Sequence, residues 1–450
     1  MGKKSIHHIK IENLRYPDKG IAFLGDQEVI VRHSLPGQLV EAECGRKRRQ
    51  KVGRVLQVLQ PAPQEISTPC PDFGKCGGCT FLNIPYEYEL QLKQQMLQPL
   101  LKDFWDGDIP IIPAPSTVGY RNKMEFSFGD SGRDGPLALG IRKRNSHYEV
   151  AVPNDCQLIP NDFKTITLAT LDYFDKTNET FYHRMRHTGT LRYLVLRRGE
   201  FTGELLVNLV TTDSIEPIHI TKWTETMQAL NLEAQITGIL HTTSNSLSDA
   251  VVPEDVKTLY GRDYFYEKIC GLSFRISPFS FFQTYSGGAE LLYSTVAEFV
   301  TDCGKISEKL FDLYCGTGTI AQVLASHAKE VIGVELVPEA MDAAKENAHA
   351  NGISNCQFIA GDVLKIIDDY EFVKPDVMVL DPPRDGIHPK ALPKLIALGA
   401  SKVVYVSCKP TSLARDLPMF LEAGYKVKAM RAHDMFPRTP HVEVVCLLEL

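Results

Sequence analysis

Three features are missing from this 450-residue sequence, and each absence narrows the field. No apolar run approaches the ~20 residues that a membrane span needs. The N-terminal MGKKSIHHIKIENL has neither the apolar core nor the cleavage pattern of an export signal, so a cytoplasmic protein without membrane association is expected. Positive charge is not in excess: 49 Lys and Arg face 55 Asp and Glu, a net −6. A nucleic-acid partner must therefore be read from local basic clusters rather than from overall charge. Internal repeats and low-complexity tracts are also absent. The 11 cysteines are odd in number and come without an export signal, so a disulfide framework is not expected. They are left as metal ligands, catalytic groups or small core residues.

What is present divides into three parts, in line with the ~150 residues of an average domain. Residues 1–60 hold short β-rich runs (IHHIKIENL, GIAFLGDQEVIVRHS, QLVEAECG, KVGRVLQVLQ) broken by Pro-Asp-Lys-Gly and Leu-Pro-Gly turns, which suits a small β-barrel. A proline-rich boundary, Pro61 to Pro71, follows. Residues 61–284 mix a helical stretch at 85–101 with strands such as KMEFSFGD, HYEVAV, LRYLVLRRG and GELLVNLVT, so a central α+β domain is expected. From 285 to 450 strands alternate with helical segments: KLFDLYC, EVIGVEL, CQFIAGD, DVMVLDPP, KVVYVSC and VEVVCLLEL. That alternation is the mark of a doubly wound α/β sheet with helices on both faces.

Ligands of such sheets bind outside the carboxyl ends of the strands, and the strand ends here are chemically marked. The first delivers DLYCGTGTIA, whose Gly316 and Gly318 allow a sharp turn and close approach to a ligand. The second ends in Glu335, 19 residues after Gly316, where an acid can take the ribose hydroxyls of an adenosine cofactor. The third places Asp362 where an adenine edge can be read, and the fourth gives Asp381 followed by Pro382 and Pro383, a rigid loop. This succession looks like a Rossmann-like S-adenosylmethionine-dependent methyltransferase domain.

The fifth strand ends in Cys408. Pro410 favours an extended Lys409 and a helix start. A thiolate at a helix N-terminus, with Lys409 beside it, is expected to be stabilised. A methyl transfer needs a thiol when the acceptor is carbon 5 of a pyrimidine. That carbon is a poor nucleophile until a thiolate adds to carbon 6 and turns the ring into an enolate. A base must then remove the carbon-5 proton. Glu443, two residues after His441 in the last strand, is the expected base, with Asp381 and His441 as alternatives. Cys315 rivals Cys408 by position, but lies inside the glycine turn. Separately, CPDFGKCGGC sets Cys70, Cys76 and Cys79 in a C-x5-C-x2-C array, a metal-site pattern. Spacing alone does not separate zinc from iron–sulfur.

SCKPTSLARD, LDPPRDG, DLYCGTGT and the terminal HVE together resemble the RNA uracil-5-methyltransferase family, of the type with a TRAM barrel and an iron–sulfur cluster that modifies 23S ribosomal RNA. The match runs along nearly the whole chain. It implies an OB-like TRAM barrel over 1–60 that binds RNA. It implies a [4Fe-4S] cluster held by Cys70, Cys76, Cys79 and, as fourth ligand, Cys156, with a structural role in shaping the RNA surface. It implies Cys408 as nucleophile and Glu443 as base, with Gln283, Tyr314, Glu335 and Asp381 forming the cofactor and reaction pocket. Thr319, which stands where some members have asparagine, and Asp362 join that pocket. The expected function is methylation of uracil carbon 5 in 23S rRNA by a monomer with no obligate protein partner. The alternatives are a tRNA uracil-5-methyltransferase and an RNA amino-methyltransferase using the Asp-Pro-Pro loop.

A barrel and distributed cations suit a strand held through its phosphates rather than a free base. The cations cluster at Arg46 to Lys51, Arg142 to Arg144 and Arg184 to Arg198. A duplexed uracil cannot reach a thiol in a crevice, so the target must be single-stranded or flipped out. Phe279, Phe281 and Phe282, just before Gln283, are candidates to stack on it.

Overall fold

The computed structural model describes residues 4–48, 50–132, 135–301, 306–369 and 374–450. Arg49, within the basic stretch 46–51, lies outside them. Among the described residues every cysteine is free, and no helix is long and apolar enough to cross a membrane.

The N-terminal segment forms a six-stranded sheet in the order Ser5–Lys10, Leu39–Lys47, Gln50–Gln60, Gln27–Arg32, Lys19–Leu24, Asn13–Arg15. It curls around Ile9, Ile11, Val29, Val31, Val40 and Ala42, the alternate residues of its strands. The Glu12 N–H donates to the Ile21 carbonyl at 2.8 Å, extending the pairing of strands Asn13–Arg15 and Lys19–Leu24.

A seven-stranded sheet follows, ordered Val150–Ala151, Leu137–Arg142, Lys123–Asp130, Leu191–Arg198, Glu204–Thr211, Gln235–Thr243, Asp255–Gly261. Helices Asn161–Asp175 and Pro217–Gln228 bury Phe163, Ile166 and Trp223 against its apolar face. Of the expected strand HYEVAV, only Val150–Ala151 forms a strand, with Glu149 making an isolated bridge to Asp130.

The third sheet has eight strands. We label seven of them: β1 Ser307–Leu313, β2 Ala328–Glu335, β3 Cys356–Ala360, β4 Val377–Leu380, β5 Lys402–Ser407, β6 Lys426–His433 and β7 Glu443–Glu449. Their order is β3-β2-β1-β4-β5-β7-β6, with the short strand Ile111–Ile112 beyond β6. All pairs among β1 to β5 are parallel, and β7 runs antiparallel between β5 and β6. The near-continuous apolar run of β5 is explained by burial on both faces. Val403 and Tyr405 point into one core, Val404 and Val406 into the other.

One of those cores is filled by helix Ser286–Val300, the other by helices Pro410–Glu422 and Tyr86–Leu101. The helix expected near 85–101 is thus present, but its Leu92, Met96, Leu97 and Leu101 bury against the C-terminal sheet. A buried ion cluster fixes it there. The Lys93 ammonium lies 2.7 Å from both Glu89 and Asp434, and the Tyr86 hydroxyl donates to Asp434 at 2.8 Å.

Candidate active site

The cofactor end of the crevice is built by the turn after β1. Tyr314 takes a left-handed backbone (φ +66°), a strained conformation of the kind that collects at functional sites. Gly318 is also left-handed (φ +69°), and a Cβ there would sit 2.5 Å from the Phe358 ring. Only glycine closes this turn. At the end of β2, Glu335 accepts the Gly316 N–H at 3.2 Å and the Leu336 N–H at 2.8 Å, which pins the carboxylate beside the turn. It remains half-buried, with a face open for ribose hydroxyls. This donor set fits an adenosine cofactor. Asp362 is exposed and uses Oδ1 to accept the Leu364 N–H at 3.0 Å, capping helix Val363–Asp369. Thr319 is buried within the turn, its hydroxyl 3.4 Å from that of Thr317. Cys315 is buried in the core beneath the turn, behind the backbone of Gly333, so it does not face the crevice.

The reacting end lies where β4 and β5 finish and β7 begins, side by side. Ser407 pairs with Val444, so one further step of the same antiparallel register sets Cys408 across from Glu443. Cys408 is half-buried and Glu443 is buried. Burial pushes the Glu443 carboxyl up to about 8, with Asp381 adding to the rise and Arg384 opposing it. Asp381, part-open to the crevice but packed deep among protein atoms, is pushed up to about 7 by desolvation. The Cys408 thiol is raised to about 11 by burial, then by Glu443 and Asp381, with Arg384 the opposing cation.

The expectation of a helix-stabilised thiolate is therefore not met. Lys409 is extended and Pro410 opens helix Pro410–Glu422 as foreseen, but burial first and then the two carboxylates raise the thiol. The Lys409 ammonium reaches out to Asp385, at 3.6 Å, rather than to the thiol. His441 is exposed and precedes β7 instead of sharing its face with Glu443.

The surrounding motif residues hold this geometry. Ser412 donates to the Arg384 carbonyl at 2.8 Å, and Asp416 accepts the Ile387 N–H at 3.0 Å and the Tyr405 hydroxyl at 2.8 Å. The helix after Cys408 thereby clamps the loop after Asp381. Gln283 is half-buried and its side chain hydrogen-bonds Tyr293. Of the three candidate stacking rings, Phe282 is core. Phe281 is 68% exposed and sits over the glycine turn, 3.9 Å from where a Gly316 Cβ would lie.

The structure brings Cys70, Cys76, Cys79 and Cys156 to the wall of one cavity, with Phe73, Leu82, Ile141 and Leu158. Burial raises the thiols of Cys76, Cys79 and Cys156, and the cysteines raise one another, as sulfurs gathered at one place do. Backbone N–H groups point at the sulfurs: Gly78 at Cys76 (3.3 Å), Leu158 and Ile159 at Cys156. Donors of this kind favour thiolates. Among the described residues no group of three or more His, Cys, Asp or Glu could hold a metal ion.

The basic clusters prove to be largely structural. Arg142 is paired in two-point contact with Asp249, and Arg144 donates to the Cys79 carbonyl. The Arg142 carbonyl accepts the Gly77 N–H, so this stretch stitches the cysteine loop to the central sheet. Arg192 and Arg197 are buried. Arg192 donates to the Ser244 and Ser246 carbonyls at 2.7 Å. Arg197 donates to the Ser277 and Ser280 carbonyls at 2.7 Å, which fixes the loop carrying Phe281 and Gln283. Arg46 to Arg48 are exposed on the N-terminal sheet. The sequence reading did not single out Arg384, an exposed cation beside the thiol, and it counted Arg197 among surface cations although that side chain is buried.

Known proteins share this arrangement. A family model described as tRNA (uracil-5-)-methyltransferase matches residues 85–450. An uncharacterized RNA methyltransferase of Clostridium tetani is 44% identical over 99% of this chain and 98% of its own length. Another, from Caldanaerobacter subterraneus, is 44% identical with full coverage of both chains. The solved Pyrococcus abyssi tRNA (uracil-54, C5)-methyltransferase, in complex with S-adenosyl-L-homocysteine, superposes with a TM-score of 0.78 at 26% identity, covering 98% of this chain and 100% of that one. With the strand ends and the crevice already in view, these matches establish that the chain belongs to the RNA uracil-5-methyltransferase family of S-adenosylmethionine-dependent enzymes.

Proposed function

We propose that this protein methylates carbon 5 of a uridine in 23S rRNA through a covalent bond between Cys408 and carbon 6 of the base. The observation that carries the reading is the thiol of Cys408 set across two strands from a buried Glu443, with Asp381 beside them. An amino-methyltransferase would leave that thiol and its facing carboxylate without a task.

S-adenosylmethionine, when bound at Glu335, Tyr314, Asp362, Thr319 and the glycine turn, supplies an electrophilic methyl group. The chain does the rest. Cys408 is protonated in the free protein, so its proton passes to Asp381 as sulfur bonds to carbon 6. Once carbon 5 carries the methyl group, Glu443 takes the proton left on that carbon. The carbon–sulfur bond then breaks, the carbon 5–carbon 6 double bond re-forms, and Asp381 returns a proton to the sulfur. Raised carboxyl pKa values suit this traffic, since a base poised near neutrality both accepts and releases a proton. Gln283 orders the wall beside the base, and Phe281 stacks on it.

The curled sheet, with Arg46 to Arg48 exposed, serves as a TRAM-type RNA module. Cys70, Cys76, Cys79 and Cys156 hold a [4Fe-4S] cluster. A cubane is wider than a single ion and accepts thiolates spread around one cavity, with backbone N–H donors on sulfur. Its role is structural, tying the cysteine loop to the central sheet.

A second reading, transfer RNA as substrate, is favoured by one observation: the Pyrococcus enzyme that aligns along nearly the whole chain is a tRNA (uracil-54, C5)-methyltransferase. Mass-spectrometric mapping of rRNA and tRNA from a deletion strain decides. A 5-methyluridine lost from 23S rRNA is the expected result. Loss from tRNA alone selects the second reading, and loss of a methylated exocyclic amine overturns both.

A further inference from the structure

Three neighbouring strands set chemically active side chains in one row. Glu443 opens β7 and pairs directly with His433, the last residue of β6. Residues opposite one another in an antiparallel pair put their side chains on the same face, with Cβ atoms about 4.5–5.5 Å apart. Here that face is the one covered by helix Ser286–Val300. Val445 and Leu447, the next alternate residues of β7, pack against its core. Arg431, two residues before His433, lies over the Phe299 ring of that helix. On the other side of Glu443, one step of register beyond Ser407, stands Cys408. The imidazole of His433 therefore flanks the Glu443 carboxyl on the side away from the thiol.

His433 is 2% exposed, and neither of its ring nitrogens has a hydrogen-bond partner. An apolar side chain would serve packing better, because a buried polar group left unpaired is costly. Its polar neighbours are already committed. Arg431 is held by Glu298 at 2.6 and 3.0 Å and by Thr295 at 3.3 Å, both on the covering helix. Across β6 the row ends in Ile112. Burial, and then Arg431, lowers His433 to about 4, so the imidazole is neutral and carries one N–H.

The reaction supplies the acceptor that this N–H lacks. Glu443, raised to about 8, is mostly protonated in the free protein at neutral pH. A neutral carboxyl is a weak acceptor. To take the proton from carbon 5 the carboxyl must first be ionised, and a buried carboxylate calls for a donor.

We propose that His433 is a positioning residue for the base, its ring N–H turning onto the ionised Glu443 carboxylate and holding it towards carbon 5 of the methylated adduct. The inference rests on the uracil reading above. The imidazole keeps its proton throughout. A hydrogen bond given to the charged form favours that form, so His433 sets how much of Glu443 is ready to act at neutral pH. The other titratable groups facing Glu443 are Cys408 from β5, Asp381 from β4 and Arg384 from the loop after β4. Asp381 disfavours the carboxylate and Arg384 favours it. Those facing His433 are Glu443 itself and Arg431, with Glu298 bound to that arginine.

The test compares His433→Leu, which removes the donor, with His433→Asn and His433→Gln, which return an N–H. The substrates are total RNA from a deletion strain and tritiated-methyl S-adenosylmethionine. In His433→Leu, kcat at pH 7 should fall about tenfold to a hundredfold, and the pH of half-maximal turnover should rise by about one to two units. The KM for S-adenosylmethionine should not change, which also reports the fold. Because the base acts after methyl transfer, a tritium-labelled RNA–protein band should build up on a denaturing gel, as in Glu443→Gln. Loss of fold would weaken that band along with turnover. At least one of the two amide variants should restore most of the rate. Wild-type turnover in His433→Leu overturns the inference alone. Slower turnover without the added band, where Glu443→Gln does trap it, overturns it as well. A slow variant rescued by neither amide assigns His433 to packing and has the same consequence. Absence of 5-methyluridine from the wild-type product removes the uracil reading, and this inference with it.

Discussion

Two regions of the molecule present cysteines from loops, and they treat them in opposite ways. At the end of β5 a single thiol, raised first by burial, faces carboxylates: Glu443 and Asp381 raise it further and Arg384 opposes them. In the loop 70–79 and at Cys156, thiols face one another around a cavity, with backbone N–H groups as their main polar company. The first environment can move a proton to and from sulfur. The second gathers several sulfurs around one cavity and has no acid or base among the residues that line it apart from Asp72 and Asp155. The work a cysteine can do is set by what folding places opposite it.

The sharpest way to break this contrast is Cys408→Ala. Methyl transfer should fall at least ~10⁴-fold, as removal of a covalent nucleophile does, while S-adenosylmethionine and RNA still bind. Tritiated-methyl incorporation together with calorimetry reads both. Persisting turnover would remove the thiol from the mechanism.

Glu443→Gln should lower turnover by about 10²–10⁴-fold and leave a methylated RNA–protein adduct visible as a shifted band. The same substitution carries a pH signature. Glu443 is raised from 4.5 to about 8 in the folded chain. Its neutral form is thus favoured by folding, so its contribution is full below pH 4.5 and fades as pH rises through about 8. Denaturant unfolding between pH 5 and pH 9 should show a decline in stability that Glu443→Gln flattens.

Lys93→Met addresses what holds the two regions in one molecule. It leaves Glu89 and Asp434 buried without their cation, and should cost about 3–5 kcal/mol of unfolding free energy. A loss below 1 kcal/mol by urea titration would mean that the cluster is not holding the helix.

The smallest effect on catalysis is expected from Cys156→Ser. The purified variant should lose its iron and its visible absorbance, while kcat moves far less than in either crevice variant. Unchanged iron content would remove Cys156 from the ligand set.

Much of the C-terminal sheet was legible beforehand because its strands are buried on both faces and read as unbroken apolar runs. β6 was not recognised. KVKAMRAH lies near the sheet edge, with only Ile111–Ile112 beyond it, and its exposed lysines hide the strand. The N-terminal strands were legible from alternation and turns. The helix Tyr86–Leu101 was legible as a helix, but nothing in its own periodicity says which sheet it covers. The basic clusters misled for a related reason. Arg192 and Arg197 look like surface cations in sequence, yet their guanidinium groups satisfy carbonyls inside the protein.

By itself the sequence determined the doubly wound pattern, the marked strand ends and the cysteine array, because periodicity and local turn chemistry act over a few residues. Only the tertiary structure decided that Cys408 faces Glu443, that Arg384 rather than Lys409 tempers the thiol, and that Tyr16 of the N-terminal sheet packs into the core of the C-terminal one. Those relations join positions tens to hundreds of residues apart. They follow from strand register and from the burial of side chains, and neither is written in any local stretch of chain.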